Sequence, residues 1–206
     1  MMAIDPQKAY PQSGEHMSVE EYFQLDYTQP NLKYEYEDGA VQLMSGGSRE
    51  HDIIAFNVHK ALDLHFQSSP CFVSGSDMRV RVSKEHDYYF PNVTVSCDVA
   101  DRRRGNTLIR SPRIVVEVLS PSTEKFDRTD KMKKYQAWPS MQEVVLVSQF
   151  APFVEVLRRN KQNSSSWHRT AYGLGEVVVF ESVDVHISME EIYRKIDFDE
   201  PLMEDE

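Results

Sequence analysis

The sequence predicts an α/β fold of the mixed α+β type, in which a central mixed β-sheet is flanked by helices and carries additional β-hairpins. Two stretches, 48–66 and 121–138, have apolar residues at helical spacing. The run from Ile114 to Leu119 is apolar at nearly every position, which is typical of a strand buried on both faces. Because strands lie between and after these two helices, the helices are expected to cover a mixed sheet.

The elements of the N-terminal part follow from local signals. Ser18 with Glu21 three residues later is a capping-box pattern and predicts a short first helix. The alternating stretch 32–37 followed by Asp38-Gly39 predicts a β-hairpin with a two-residue turn. Ser48 is a suitable N-cap for a helix of about five turns, and His51 falls on the inner stripe of that helix.

The C-terminal part is read in the same way. The alternating stretch 78–82 and the stretch 88–98, "YYFPNVTVSCD", are expected to pair as strands. A third strand at 113–120 precedes a helix that Pro139 ends. The remaining elements are expected to be a strand at 143–149, a hairpin at 153–172, two short strands and a final short helix.

One domain accounts for the length of 206 residues, because two domains would each be small. Residues 1–16 are assigned to a poorly ordered N-terminal arm, 17–196 to the single domain and 197–206 to an acidic tail. No apolar run approaches the roughly 18 residues that span a bilayer, so no membrane association is expected.

The charge balance limits the partners. With 33 acidic and 23 basic residues the net charge is −10, which argues against a general nucleic-acid coat protein. A local basic face remains compatible with this total. Arg102, Arg103 and Arg104 form the obvious basic patch, which is either a phosphate contact or a solvated run of charge.

Cysteine usage favours a reducing compartment. Only Cys71 and Cys97 could pair, and the start of the chain lacks a charged and then apolar signal segment. We therefore expect a cytoplasmic protein with two free thiols.

Pro91 and Asn92 raise a question about their strand. Pro91 has no N–H for a β-ladder, so it should lie at a strand start or an irregular step and direct the chain where Asn92 begins. Asn92 is then either a simple turn residue or a side chain placed for a purpose.

Glu117 and Lys131 are polar residues where apolar ones are expected. Glu117 interrupts the apolar run of the third strand, and burying its carboxylate without a partner would cost several kcal/mol. Lys131 lies on the helical stripe of Asp127, Tyr135 and Trp138. For Glu117 the alternative is a face open to solvent or covered by an arginine. For Lys131 the alternatives are a side chain that snorkels over apolar surface and a simple i,i+4 ion pair with Asp127.

Taken together, these features resemble a known family. The motifs "KYEYEDG", "SREH", "DMRVRV", "YYFPNVTVSCD", "VVEVLSPSTEKFDRTDKMKKYQAW" and "EVVLVSQ" are similar to those of the Uma-type restriction endonuclease family. This family belongs to the PD-(D/E)XK nuclease superfamily, and the resemblance covers about residues 18 to 195. It implies a restriction-endonuclease-like core and hydrolysis of a phosphodiester with a divalent metal.

The resemblance also implies roles for individual residues. Glu117 matches the metal-binding acid, and Lys131 matches a lysine relocated from the strand, where Leu119 now stands. Glu35 is implied as a further metal ligand. Asn92 occupies the place of the metal-binding Asp, so the site has one negative charge fewer than the family pattern. Three residues are expected to support the site: His51, Asp127 and Tyr135.

The leading hypothesis is therefore a Mg²⁺- or Mn²⁺-dependent endonuclease that cuts DNA, acts as a homodimer and is weakened by Asn92. The catalytic residues would be Glu117, Lys131, Asn92 and Glu35. The alternative is a catalytically inactive binding or scaffold protein of the same fold.

Overall fold

The structure is a computed structural model that describes residues 11–44, 46–84, 86–121 and 124–199. Within these ranges the helical segments are separated by runs of one or more strands. The first half contains α1 Val19–Thr28, β1 Tyr34–Glu37, β2 Ala40–Leu43, α2 Arg49–Phe66, β3 Phe72–Gly75, β4 Arg79–Arg81, β5 Tyr88–Tyr89 and β6 Val93–Ser96. The second half contains β7 Leu108–Ile109, β8 Pro112–Leu119, α3 Glu124–Phe126, a π-helical turn Asp127–Lys131, α4 Met132–Ala137, β9 Glu143–Ser148, β10 Val154–Arg159, β11 Trp167–Tyr172, β12 Val177–Phe180, β13 Val185–Ser188 and α5 Met189–Ile192.

The strands form two larger sheets and one hairpin. A six-stranded sheet has the order β11-β10-β9-β8-β6-β3, a five-stranded sheet has the order β2-β1-β5-β4-β7, and β12 pairs with β13. Both larger sheets are mixed, since β8 runs parallel to β9 and β4 runs parallel to β7 while the other pairs are antiparallel. The predicted mixed α/β class with additional hairpins is confirmed.

Strand β8 is the centre of the core. Val116 and Val118 pack on one face with residues of α2, whereas Val115 and Leu119 pack on the other face with Met132 of α4. The apolar run therefore has the two-sided burial that the sequence predicted. Glu117 is also buried within this strand, with 4% of its surface exposed.

The stretch 88–98 divides between the two sheets. Its start, β5, pairs with β4 in the five-stranded sheet as expected, with Val80 opposite Tyr89. Its second half, β6, instead joins the six-stranded sheet between β3 and β8. Pro91 lies at the step between the two strands, so the ladder does not need the N–H that proline lacks. Asn92 is the last residue before β6.

Local signals at the N-terminal side are confirmed by hydrogen bonds. Ser18 and Glu21 form the capping box of α1, and Ser48 caps α2 by accepting from the His51 N–H. In the β1–β2 turn Asp38 and Gly39 both have positive φ, as the predicted two-residue hairpin turn requires.

The assigned N-terminal arm lies partly outside the described residues, which begin at residue 11. The Gly14 N–H donates to the Val41 carbonyl and the Val41 N–H donates to the Glu15 carbonyl. The chain therefore follows β2 before residue 17. Of the acidic tail, only residues 197–199 are described.

The prediction of free thiols was wrong, because Cys71 and Cys97 form a disulfide. Phe72 is opposite Ser96 in the antiparallel β3–β6 pair, so the two cysteines flank that pair directly and their Cα atoms are 3.9 Å apart. The sequence separation of 26 residues gave no sign of this register. Among the helices of the described ranges, none has the length and apolar character of a membrane span.

Candidate active site

A pocket of about 820 Å³ opens where the C-terminal end of β8 meets the start of β6. The first turn of α2, strand β1 and the π-helical turn complete its walls. Six of the seven residues predicted for the site or its support line this pocket: Glu35, His51, Asn92, Glu117, Asp127 and Lys131. The seventh, Tyr135, lies behind the wall and donates its hydroxyl proton to Glu117 Oε1 at 2.5 Å.

Lys131 is the central contact of the pocket. Its Nζ lies 2.8 Å from Glu35 Oε1, 3.1 Å from Glu117 Oε1 and 3.5 Å from Asp127 Oδ1. The residue is only 4% exposed. Burial alone would lower the pKa of Lys131, but the three carboxylates outweigh burial and raise it, so the side chain is an ammonium ion. The structure does not support the alternative of a lysine that snorkels to solvent.

The surroundings of Glu117 change the pKa of its carboxyl group. Burial raises its pKa to about 7, although Lys131 acts in the opposite direction. The neighbouring carboxylates of Asp127 and Glu35 add to the increase. Three carboxylates around one ammonium leave an excess of negative charge, which a proton on Glu117 or a bound cation would reduce.

The side-chain amide of Asn92 has a defined orientation at the wall of the pocket. Its Oδ1 accepts a hydrogen bond of 2.7 Å from the Val118 N–H. Since only the oxygen of an amide can face an N–H donor, this contact fixes the orientation of the side chain. The Nδ2 group therefore occupies the other side of the amide. This placement identifies Asn92 as more than a turn residue, because it anchors β8 next to Glu117.

His51 and Glu35 complete the inner wall. The His51 imidazole lies near the backbone of Val118, whose N–H donates to Asn92. Burial lowers the pKa of His51, which keeps the imidazole neutral near pH 7. Glu35 Oε1 accepts from the Phe90 N–H at 3.0 Å as well as from Lys131.

Several polar residues of the pocket were not predicted, and Lys33 and Gln149 are two of them. Lys33 lies at the rim and pairs with Asp77, and Gln149 accepts a hydrogen bond from the Ser48 hydroxyl. Lys33 belongs to an alternating strand, where a solvent-facing lysine is unremarkable in sequence. Gln149 follows the end of β9, and only the parallel β8–β9 pairing brings that end to the pocket.

The predicted basic patch lies away from this site. Arg102, Arg103 and Arg104 follow the far end of β6, whose four residues rise roughly 13 Å, and none of the three lines the pocket. Arg102 donates to the carbonyl of Pro70. Buried Asp101 organises the loop by accepting from the backbone N–H groups of Arg110 and Ser111.

The donor set is suited to a hydrated Mg²⁺ or Mn²⁺ ion, which usually takes one or two carboxylates and several waters. Glu35 and Glu117 both line the pocket and both bind Lys131 through Oε1. Within the ranges that the structure describes, no three His, Cys, Asp or Glu side chains are arranged as an all-protein metal cage. The residues thus fit an ion held by two carboxylates and water.

The fold is a restriction-endonuclease-like core with a pocket at the C-terminal end of its central strand. The chain belongs to the Uma2 family, described as "Putative restriction endonuclease", whose model matches residues 19–190. A crystal structure described as "a putative nuclease belonging to DUF820", from Anabaena variabilis ATCC 29413, has a TM-score of 0.69 at 16% identity. The match covers 86% of this chain and 97% of that one, and at this identity it shows the fold alone.

Two curated relatives come from Synechocystis sp. (strain ATCC 27184 / PCC 6803 / Kazusa). "Uncharacterized protein slr1290" is 32% identical over 198 residues, which cover 96% of this chain and 100% of that protein. "Uncharacterized protein sll1609" is 29% identical over 140 residues, which cover 68% of this chain and 78% of that protein. The first of these two matches spans nearly the whole chain.

Proposed function

We propose that the chain is a divalent-metal-dependent endonuclease that hydrolyses DNA phosphodiester bonds. The observation that carries this proposal is the convergence of Glu35, Glu117 and Lys131 in one pocket at the end of β8. These residues come from three separate elements. The pocket gives an ion or a substrate access to this cluster, which a sealed ion pair would not.

Each residue has a role that its position supports. Glu117 and Glu35 would hold Mg²⁺ or Mn²⁺, with Asn92 beside them. When bound, the ion would polarise the phosphate and lower the pKa of an attacking water. Lys131 would position that water, and Tyr135 would orient the Glu117 carboxylate through its hydroxyl.

His51 and Asp127 support this arrangement from two sides. His51 would support the backbone of Val118 directly after Glu117, and Asp127 contacts Lys131 one turn away along the helical segment. Neither residue needs to touch the substrate for these roles. Both residues line the pocket.

The test is cleavage of supercoiled plasmid DNA with Mg²⁺ or Mn²⁺. We expect nicking by the wild-type chain and its loss in Glu117→Gln, which keeps the side-chain size but removes the charged ligand. Glu20→Gln, an exposed substitution on α1, is the matched control and should cleave like wild type. Equal activity in wild type and Glu117→Gln would reject this site as the catalytic centre.

A specific observation favours a second candidate, a DNA-binding or scaffold protein without catalysis. Asn92 uses its oxygen to bind Val118 and supplies no carboxylate, so the site has one anionic ligand fewer than the family pattern. This candidate predicts DNA binding with neither cleavage nor Mn²⁺ binding. Calorimetry with Mn²⁺ distinguishes the two, because only the first candidate requires a Glu117-dependent site.

A further inference from the structure

The number of partners around Lys131 matches the number of its hydrogen-bond donors. A lysine ammonium has three N–H groups and no acceptor, and Nζ lies within 3.5 Å of carboxylates from Glu35, Glu117 and Asp127. These partners belong to β1, β8 and the π-helical turn. The ammonium of Lys131 is therefore held by protein carboxylates, which compete with a water or a phosphate for its N–H groups.

Two of these three contacts of Lys131 are made with the carboxylates that are proposed as metal ligands. Lys131 is bound to Oε1 of both Glu35 and Glu117 at 2.8 and 3.1 Å. An ammonium ion and a divalent cation on the same carboxylates repel each other strongly at such distances in a buried site. The charge of the ammonium must therefore weaken the binding of any cation to these oxygens.

We propose that Lys131 is a built-in competitor for the divalent cation of this pocket, and that it must release Glu117 or Glu35 when the cation binds. This inference rests on the proposed function, because it concerns the same two ligands. Release would also free an N–H of Lys131. The exchange would thus couple occupancy of the pocket to the availability of the lysine for water or phosphate.

Lys134 provides a matched control in the same helical segment. Its Nζ also contacts three carboxylates, at 2.6 Å from Asp87, 2.9 Å from Asp38 and 3.3 Å from Glu37. It does not line the pocket. A lysine with the same number of ion pairs can therefore be removed without changing the proposed ligands.

The test is isothermal titration calorimetry with Mn²⁺ on wild type, Lys131→Met and Lys134→Met at one pH. We expect Lys131→Met to bind Mn²⁺ at least about tenfold more tightly than wild type, since a nearby unit positive charge is removed. Lys134→Met should bind Mn²⁺ like wild type. Plasmid cleavage should be lost in Lys131→Met despite the tighter binding.

The outcomes separate this inference from the proposed function. Mn²⁺ binding by wild type that is no weaker than that of Lys131→Met overturns the competition and leaves the metal-dependent function standing. If Lys131→Met binds Mn²⁺ and wild type does not, the competition is supported, but the proposal that the wild-type chain is metal-dependent is rejected. Absence of Mn²⁺ binding in both overturns both ideas.

A measurement on the wild-type chain covers the case in which Lys131→Met does not fold. The buried ammonium of Lys131 can be followed by ¹⁵N NMR and assigned by its loss in Lys131→Arg. Addition of Mg²⁺ should shift this signal and leave that of Lys134 in place. An unchanged Lys131 signal at Mg²⁺ concentrations that saturate the calorimetric site overturns the competition.

Discussion

Substitution of Asn92 by Asp adds a carboxylate to the pocket with almost no change in side-chain size. In the wild-type structure Oδ1 binds the Val118 N–H at 2.7 Å, and Nδ2 takes the other position of the amide. In Asn92→Asp one carboxylate oxygen can keep the Val118 contact while the second replaces Nδ2. We therefore expect a third anionic ligand beside Glu117 and Glu35.

The size of the effect follows from the one ligand that the substitution adds to the metal. A single charge-assisted ligand bond contributes on the order of 1.5 to 3 kcal/mol, so Mn²⁺ affinity should rise about tenfold to a hundredfold. Without added metal the new charge should lower thermal stability, because it joins a pocket where burial and neighbouring carboxylates already raise the pKa of Glu117. Mn²⁺ should reverse that loss.

The assays are calorimetry with Mn²⁺, thermal unfolding with and without Mn²⁺, and cleavage of supercoiled plasmid. Asn31→Asp is the matched control, because it adds the same charge at the rim of the same pocket without the Val118 contact. Glu117→Gln in the Asn92→Asp background should abolish the gain, since the two carboxylates act on one ion. The reasoning is refuted if Asn92→Asp binds Mn²⁺ no better than wild type, or if Asn31→Asp gives the same gain.

Four further predictions concern the rest of the chain. Replacing Arg102, Arg103 and Arg104 by Ser should weaken DNA binding and flatten its salt dependence while Mn²⁺ affinity stays unchanged; DNA binding that does not change would remove the loop from the interface. Analytical ultracentrifugation should show a homodimer, and a species of one-chain mass at micromolar concentration would exclude it. The double variant Cys71→Ser, Cys97→Ser should lose about 3 to 4 kcal/mol of unfolding free energy in denaturant titrations, as expected for a closed loop of this length. Burial would raise the pKa of Asp87, but hydrogen bonds from Lys134 and the Asp38 N–H outweigh it and lower the pKa. The resulting stabilisation is present above the ordinary pKa near 3.8 and is lost as pH falls through the lowered value, so acid titration of stability should be shallower in Lys134→Met than in wild type.

Most elements could be predicted because their signals are local. Caps such as Ser18 and Ser48, the turn at Asp38-Gly39 and the apolar run of β8 each specify a conformation within a few residues. The two-sided burial of β8 also identified Glu117 as anomalous. A buried carboxylate needs a partner, so the sequence indicated a site before it indicated the partner.

Pairing between distant segments was harder to predict. Alternation shows which face of a strand is buried but does not identify its neighbour, and the stretch 88–98 therefore gave no sign that it serves two sheets. The same reason explains the disulfide. Cys71 and Cys97 meet only because β3 pairs with β6 in one register.

The site residues were named largely through the family resemblance, whereas their contacts needed three dimensions. Sequence spacing allowed an ion pair between Lys131 and Asp127, and the structure contains it at 3.5 Å. The nearest partner of Lys131, however, is Glu35, which lies far earlier in the chain, on β1. The orientation of the Asn92 amide depends on a backbone N–H of the neighbouring strand. Neither contact leaves a pattern within a single segment.

The π-helical turn explains how one helical segment brings three side chains to Glu117 and its neighbours. In an α-helix four residues advance about 400°, so residues at i, i+4 and i+8 drift around the axis by about 40° at each step. A turn with i to i+5 hydrogen bonds takes more residues per turn, so four residues fall short of a full turn and offset the drift of the α-helical step that follows. Asp127 and Lys131 are the first and last residues of this turn, and Tyr135 follows in α4. All three side chains are buried on the side of β8. The wider turn thus keeps the carboxylate, the ammonium and the hydroxyl aligned along one strand, which a regular α-helix of the same sequence would do less well.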